Sequence, residues 1–172
     1  AVELISGPVA IPSPAGVTVT AVSSAIDMLN AAEQKVEQGC DIFIASAAVA
    51  DYRPEAVPEQ KIKKSQSKMV IELIKNPDIV ATIAARKDKP FTVGFAAETQ
   101  DVISYAEGKL KNKKLDMIVA NDVSDQRIGF NSEDNAVRAL WSGGRQSFSQ
   151  QSKSILASHL IELIISNLPA NQ

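Results

Sequence analysis

Cysteine is nearly missing from this chain. Cys40 is the only one in 172 residues, which excludes an intramolecular disulfide and suits a reducing cytoplasm. Placed after Gly39 at a helix-to-strand junction, it reads as a small buried filler rather than a reactive thiol. No apolar run approaches the roughly 20 residues that a membrane helix needs. Charge of one sign does not dominate either: 18 basic against 20 acidic residues leave a net −2, so there is no electrostatic case for nucleic acid as a partner. The opening "AVELISGPVAIP" has neither a basic n-region nor a long apolar h-region and does not read as a secretory signal. Repeats, low-complexity tracts and flexible linkers are absent. The lone histidine, His159, lies far from any acid cluster and reads as structural or superficial. What remains is 45% apolar and 22% charged, an ordinary globular balance over a length that suits one domain, residues 1–172.

Short apolar runs alternate with amphipathic segments. Strands are expected at Val2–Ser6, Asp41–Ala50, Lys68–Ile74, Phe91–Ala96 and Asp116–Asn121. Helices are expected between them, at Ala25–Gln38, at Pro77–Arg86 with Asn76 as N-cap and proline at N1, and at Val102–Lys114. Apolar strands that run on without alternation, separated by helices, point to an α/β fold with a mostly parallel sheet covered on both faces. The end of the chain differs. "NAVRALW" and "RQSFSQ" flank Ser142-Gly143-Gly144 as a β-hairpin, and "SKSILASHLIELIISNL" closes the chain as a helix that stops before Pro169.

Two strands end oddly. "VGFAAET" and "IASAAVADYR" both fade from apolar bulk into glycine and alanine and then reach an acid. Small residues at the carboxyl end of a parallel strand let a planar ligand approach the backbone. Close helix packing also uses them, but two such strands, each followed by an acid, favour a site. Asp51 can hold a hard cation that bridges phosphates, and Lys61, Lys63 and Lys64 on the next loop can neutralise those phosphates. Alone, "KIKK" is simply a solvated basic loop. The "KNPDIV" turn opens a helix whose free amides begin at Asp78, because Pro77 has none. Asp78 repels phosphate, so a neutral polar edge such as a pyrimidine suits that end better. Lys109 and Lys113 share a helix stripe with Tyr105, either overhanging the same crevice or snorkelling at the surface.

Together "AAVADYRP", "KIKK", "KNPDIVA", "VGFAAET", the paired lysines, "IVANDVS" and "GFNSEDNAV" resemble a known family. It is the phosphopantothenate–cysteine ligase (phosphopantothenoylcysteine synthetase) domain of bacterial bifunctional coenzyme A biosynthesis proteins. The resemblance runs from about Leu4 to Leu163 with the motifs in order. It implies a Rossmann-like, homodimeric, cytoplasmic enzyme that uses CTP and Mg²⁺ to join 4′-phosphopantothenate to cysteine through an acyl-cytidylate. By motif, Ala45, Ser46 and Ala47 line the nucleotide and Asp51 lies near its triphosphate and Mg²⁺. Lys61 contacts phosphate and supports catalysis, and Pro77, Asp78, Ile79 and Val80 meet the cytosine edge. Phe95, Lys109 and Lys113 complete the nucleotide site. FMN enters only if a decarboxylase domain precedes the chain.

One departure stands out. The family's first strand and its glycine-rich loop, with an asparagine used in turnover, are missing before Leu4, so Ala1 need not be a natural start. That leaves open a catalytically incomplete CTP-binding dimerisation fragment. An NAD-dependent Rossmann oxidoreductase is the other alternative, but its GxGxxG fingerprint is not visible.

Overall fold

The computed structural model describes residues 1–63, 67–98, 101–122 and 132–169. The chain divides into two units, Ala1–Gln34 with Ala48–Ile79, and Lys35–Ala47 with Val80–Gln172.

In the first unit, β1 (Glu3–Ser6) and β2 (Thr18–Ala21) form a parallel pair with Glu3 opposite Thr18. A helix, α1 (Ala25–Glu37), follows and crosses the boundary between the units. It starts on a capping box: the Asp27 amide donates to Ser24 Oγ, and the Ser24 amide donates to Asp27 Oδ2. Hydrogen bonds to its carboxylate, first from the Ser24 side chain and then from the Ser24 amide, hold Asp27 below its ordinary pKa. After β3 (Ile42–Ala45), which belongs to the second unit, the chain returns to the first as β4 (Tyr52–Pro54). That strand pairs antiparallel with β5 (Leu73–Lys75).

The second unit is built on a five-stranded sheet. Its elements continue with α2 (Ile79–Ala84), β6 (Phe91–Glu98), α3 (Val102–Asn112), β7 (Met117–Asp122), β8 (Asp134–Trp141), β9 (Gly144–Ser152) and α4 (Lys153–Ser166). Strand order is β3-β6-β7-β8-β9, parallel through β7 and antiparallel thereafter. The mostly parallel α/β expectation therefore holds. β7 explains why the apolar runs do not alternate. Met117 and Val119 face Leu156, Leu160, Leu163 and Ile164 of α4. Ile118 and Ala120 face Ala106 of α3 and Leu115 on the other side. Successive residues point to opposite faces, and both faces are buried.

The register between β6 and β7 is pinned at its start. Asp116 Oδ2 accepts the Thr92 amide at 2.8 Å and also Lys89 Nζ. The preceding helix ends in a Schellman motif, with the Leu115 amide donating to the Leu110 carbonyl at 3.0 Å and Lys114 at φ 56° where glycine is usual. The β8–β9 turn is two residues long, Ser142 and Gly143, with Gly143 at φ 95°. Beside it the Trp141 indole lies on Gly144 so closely that a Cβ would sit 2.5 Å from Cζ2. Gly144→Ala is therefore expected to destabilise by about 1–3 kcal/mol through overpacking. Gly108→Ala, within α3 and with nothing inside 4 Å, is expected to stabilise by about 0.5–1 kcal/mol. Melting temperatures check both, at about 2–4 °C per kcal/mol for a chain of this size.

Some expected elements move. The strand expected at Lys68–Ile74 is only β5, and Met69, Val70 and Ile71 are exposed, because the partner β4 offers just three residues. The helix expected from Pro77 starts at Ile79, so Pro77 is not its first residue and Asn76 is not its cap. Sequence patterning also missed β2 and β4. Each is at most four residues long, and β4 ends on Pro54.

Candidate functional site

The carboxyl ends of β3 and β6 lie side by side. Ala45 pairs with Gly94, and Phe95 follows directly. Gly94 and Ala96 turn toward the α3 face: a Cβ on Gly94 would meet Leu115 Cδ1 at 2.7 Å, and Ala96 belongs to the cluster with Ala106 and Leu115. Phe95 points the other way, on the face of Val93, where its ring is 41% exposed. Ser46 and Ala47 leave the strand as exposed, small residues. The result is a low shelf of backbone with one solvent-facing aromatic ring beside it, an arrangement open to a flat ligand.

Asp51 and the Pro77 turn are brought together in the first unit. The Asn76 amide donates to the Asp51 carbonyl at 2.8 Å, continuing the ladder in which Tyr52 faces Lys75. Asn76 Nδ2 donates to the Ala50 carbonyl at 2.8 Å. Arg53 Nη1 donates to Asn76 Oδ1 at 3.0 Å and to the Lys75 carbonyl at 3.1 Å. This clip fixes the Asp51 backbone and the entry to α2 in one piece, with the Asp51 side chain left exposed. Arg53 and Asn76 are positioning residues that sequence reasoning missed. Their partners lie 22 to 26 residues away, beyond any local signal.

At the start of α2, Pro77 is half-buried, Asp78 exposed, Ile79 buried and Val80 half-buried. Ile79 belongs to the first unit and Val80 to the second. Lys61 and Lys63 are exposed in a stretch with neither helix nor strand. Lys64 lies outside the described residues, as do Thr99 of "VGFAAET", the end of "IVANDVS" and the start of "GFNSEDNAV". Lys109 and Lys113 are half-buried in the last turns of α3. The helix that carries them, α3, packs on the face opposite Phe95. A stripe on a helix is readable from spacing, whereas the sheet face it covers is not.

Among the described residues there is no group of three or more His, Cys, Asp or Glu that could hold a metal. Asp51 is a single exposed carboxylate, a donor set that fits an ion arriving with phosphates rather than a resident metal. Cys40 Sγ donates to the Ile42 carbonyl at 3.2 Å, and burial raises its thiol pKa, which keeps it protonated and inert. His159 is exposed and stacks on Phe148. Among the described residues no helix is long and apolar enough to cross a membrane.

Comparison with known proteins places these features in context. The family model of the DNA/pantothenate metabolism flavoprotein C-terminal domain matches residues 1–168. The coenzyme A biosynthesis bifunctional protein CoaBC of Vibrio cholerae is 54% identical over 166 residues, covering 95% of this chain and 41% of that protein. The chain thus spans about two-fifths of the length of that relative. The crystal structure of the C-terminal domain of CoaBC superposes with a TM-score of 0.76 at 38% identity, over 94% of this chain and 71% of that one. A Cab2 variant in complex with phosphopantothenate-cysteine shares the fold at a TM-score of 0.61 and 11% identity, over 88% of this chain and 54% of that one.

Proposed function

Because the chain belongs to the DNA/pantothenate metabolism flavoprotein C-terminal domain family, we propose that it acts as a CTP-dependent phosphopantothenate–cysteine ligase. A free carboxylate is a poor electrophile and must first acquire a leaving group. In the first step a carboxylate oxygen of 4′-phosphopantothenate attacks the α-phosphorus of CTP. The bond to the β-phosphate oxygen breaks, pyrophosphate leaves, and an acyl-cytidylate forms. In the second, the amine of cysteine attacks the acyl carbon, the bond to the CMP oxygen breaks, and the amine proton passes to solvent.

The observation that carries this reading is the shelf at Ala45–Ala47 beside Phe95, open to a flat base or sugar at the strand ends. The amides that open α2 suit the hydrogen-bonding edge of cytosine, with Asp78 discouraging phosphate there. Asp51, held by the Asn76 clip, suits the magnesium that accompanies a triphosphate; when bound, that ion would offset charge on the phosphates. Lys61 supplies the positive charge for the phosphoryl oxygens. Lys109 and Lys113 are assigned to the nucleotide by motif alone.

A homodimer is supported by the apolar side chains left exposed around β4 and β5: Val57, Ile62, Met69, Val70, Ile71 and Leu73. A cytoplasmic setting follows from the substrates of this reading.

Incubation of the protein with 4′-phosphopantothenate, cysteine and CTP tests the proposal. Phosphopantothenoylcysteine, CMP and pyrophosphate are expected in equal amounts. Nucleotide binding without pyrophosphate release would instead support an inert CTP-binding fragment.

A further inference from the structure

On the face of the central sheet that α3 covers, and across β7 from the shelf at β3 and β6, a groove runs between α3 and the β8–β9 hairpin. Two adjoining hollows, of about 670 and 380 Å³, share Leu140 and Arg145. Four cations line them: Lys111 and Lys114 from the end of α3, and Arg138 and Arg145 from the sheet. Glu107 is the only carboxylate in the lining. Arg138 stands opposite Ser147 and Arg145 opposite Leu140, so alternation puts both arginines on the face that α3 covers only in part.

None of the four side chains makes a hydrogen bond or an ion pair among the described residues. The unit's half-buried cations Arg86 and Lys89 pair with Glu37 and Asp116. In a chain of net charge −2, four unpaired cations around one hollow make a locally positive site. Arginine forks match phosphate oxygens two at a time, and lysines add point charge. The volume is that of a small-molecule site, and Trp141 forms part of its wall.

We propose that this groove binds a small polyphosphate-bearing molecule, at a site separate from the one at the strand ends. Two sources share that chemistry, a nucleoside diphosphate and inorganic polyphosphate. Trp141 is the chain's only tryptophan; its indole lies on Gly144, the residue before Arg145, so its emission reports on the hairpin that carries Arg145.

The experiment titrates the whole chain with ADP, with inorganic tripolyphosphate and with adenosine, following tryptophan fluorescence. A saturable change is expected with ADP or tripolyphosphate, and none with adenosine. A tighter midpoint for ADP assigns the site to nucleotides; an equal or tighter one for tripolyphosphate assigns it to polyphosphate itself. The double variant Lys111→Gln, Arg145→Gln should raise the midpoint at least about tenfold, with Arg145→Lys recovering part of it and Lys61→Gln leaving it unchanged. Both altered side chains are exposed, and an unchanged melting temperature confirms folding. The proposal is overturned if neither polyanion gives a saturable change, if adenosine binds as well as ADP, if the double variant keeps the original midpoint, or if Lys61→Gln abolishes the signal.

Discussion

Lys61→Gln is expected to slow single-turnover formation of the acyl-cytidylate by about 10²–10³, while Lys63→Gln leaves it within about twofold. The two lysines are equally exposed and lie in the same stretch without helix or strand, so nothing in the free protein separates them. The difference arises when the nucleotide is bound. Negative charge then develops on phosphoryl oxygens in a crevice with little water, and one positioned cation there contributes about 2.7–4 kcal/mol of barrier lowering. A lysine that stays in solvent is screened and contributes almost nothing. Long or missing contacts in an unliganded site do not argue against the role, because such contacts tighten only with substrate present. Rates are to be measured by rapid quench with saturating CTP, and melting temperatures exclude misfolding. Equal rates for the two variants would reduce the loop to a basic surface and remove Lys61 from the chemistry.

CTP should bind about tenfold or more tightly than ATP, seen as a larger thermal shift at matched magnesium. In this reading the donors at the opening of α2 are the backbone amides of Asp78, Ile79 and Val80, since Pro77 has none to give. Donors fixed in a backbone match the acceptors of cytosine, O2 and N3, and cannot rearrange for an adenine edge. Each buried group left unsatisfied costs roughly 1–3 kcal/mol, and one such loss already accounts for a tenfold preference. The clip of Asn76 with Arg53 and Ala50 holds this turn in place. Equal shifts with both nucleotides would count against the base assignment.

The sheet was readable where chemistry is local. "DMIVAN" reads as a buried parallel strand because Met117 to Ala120 run apolar on both faces, and the structure buries both. The hairpin was readable from Ser142-Gly143, since only a residue tolerant of positive φ closes so short a turn. The closing helix ends before Pro169, as expected. Boundaries failed where a distant partner decides. Asn76 looks like an N-cap, but Arg53 and Ala50 claim its amide group, and the helix begins later. The apolar run before Lys75 looks like a seven-residue strand, yet its neighbour β4 pairs with only three residues.

The same division holds for the candidate site. Small residues at the end of β3 and β6 are visible in the sequence because glycine and alanine are conspicuous in an apolar run. Asp51 and the Pro77 turn read as separate motifs, and only the fold shows that they are adjacent rungs of one ladder. The stripe of Lys109 and Lys113 is legible in the sequence, but it left both a crevice and a surface role open. The face of the sheet under α3 depends on the pleat at Gly94 and Phe95, which spacing along the helix cannot register.

The most direct test follows oxygen. 4′-Phosphopantothenate labelled with ¹⁸O in its carboxylate is to be converted with CTP and cysteine, and the nucleotide product analysed by mass spectrometry. Attack of the carboxylate on the α-phosphorus, followed by displacement at the acyl carbon, must leave one labelled oxygen in CMP and none in pyrophosphate. Labelled CMP is the predicted result. Unlabelled nucleotide, or label appearing in inorganic phosphate with CDP released, would contradict an acyl-cytidylate.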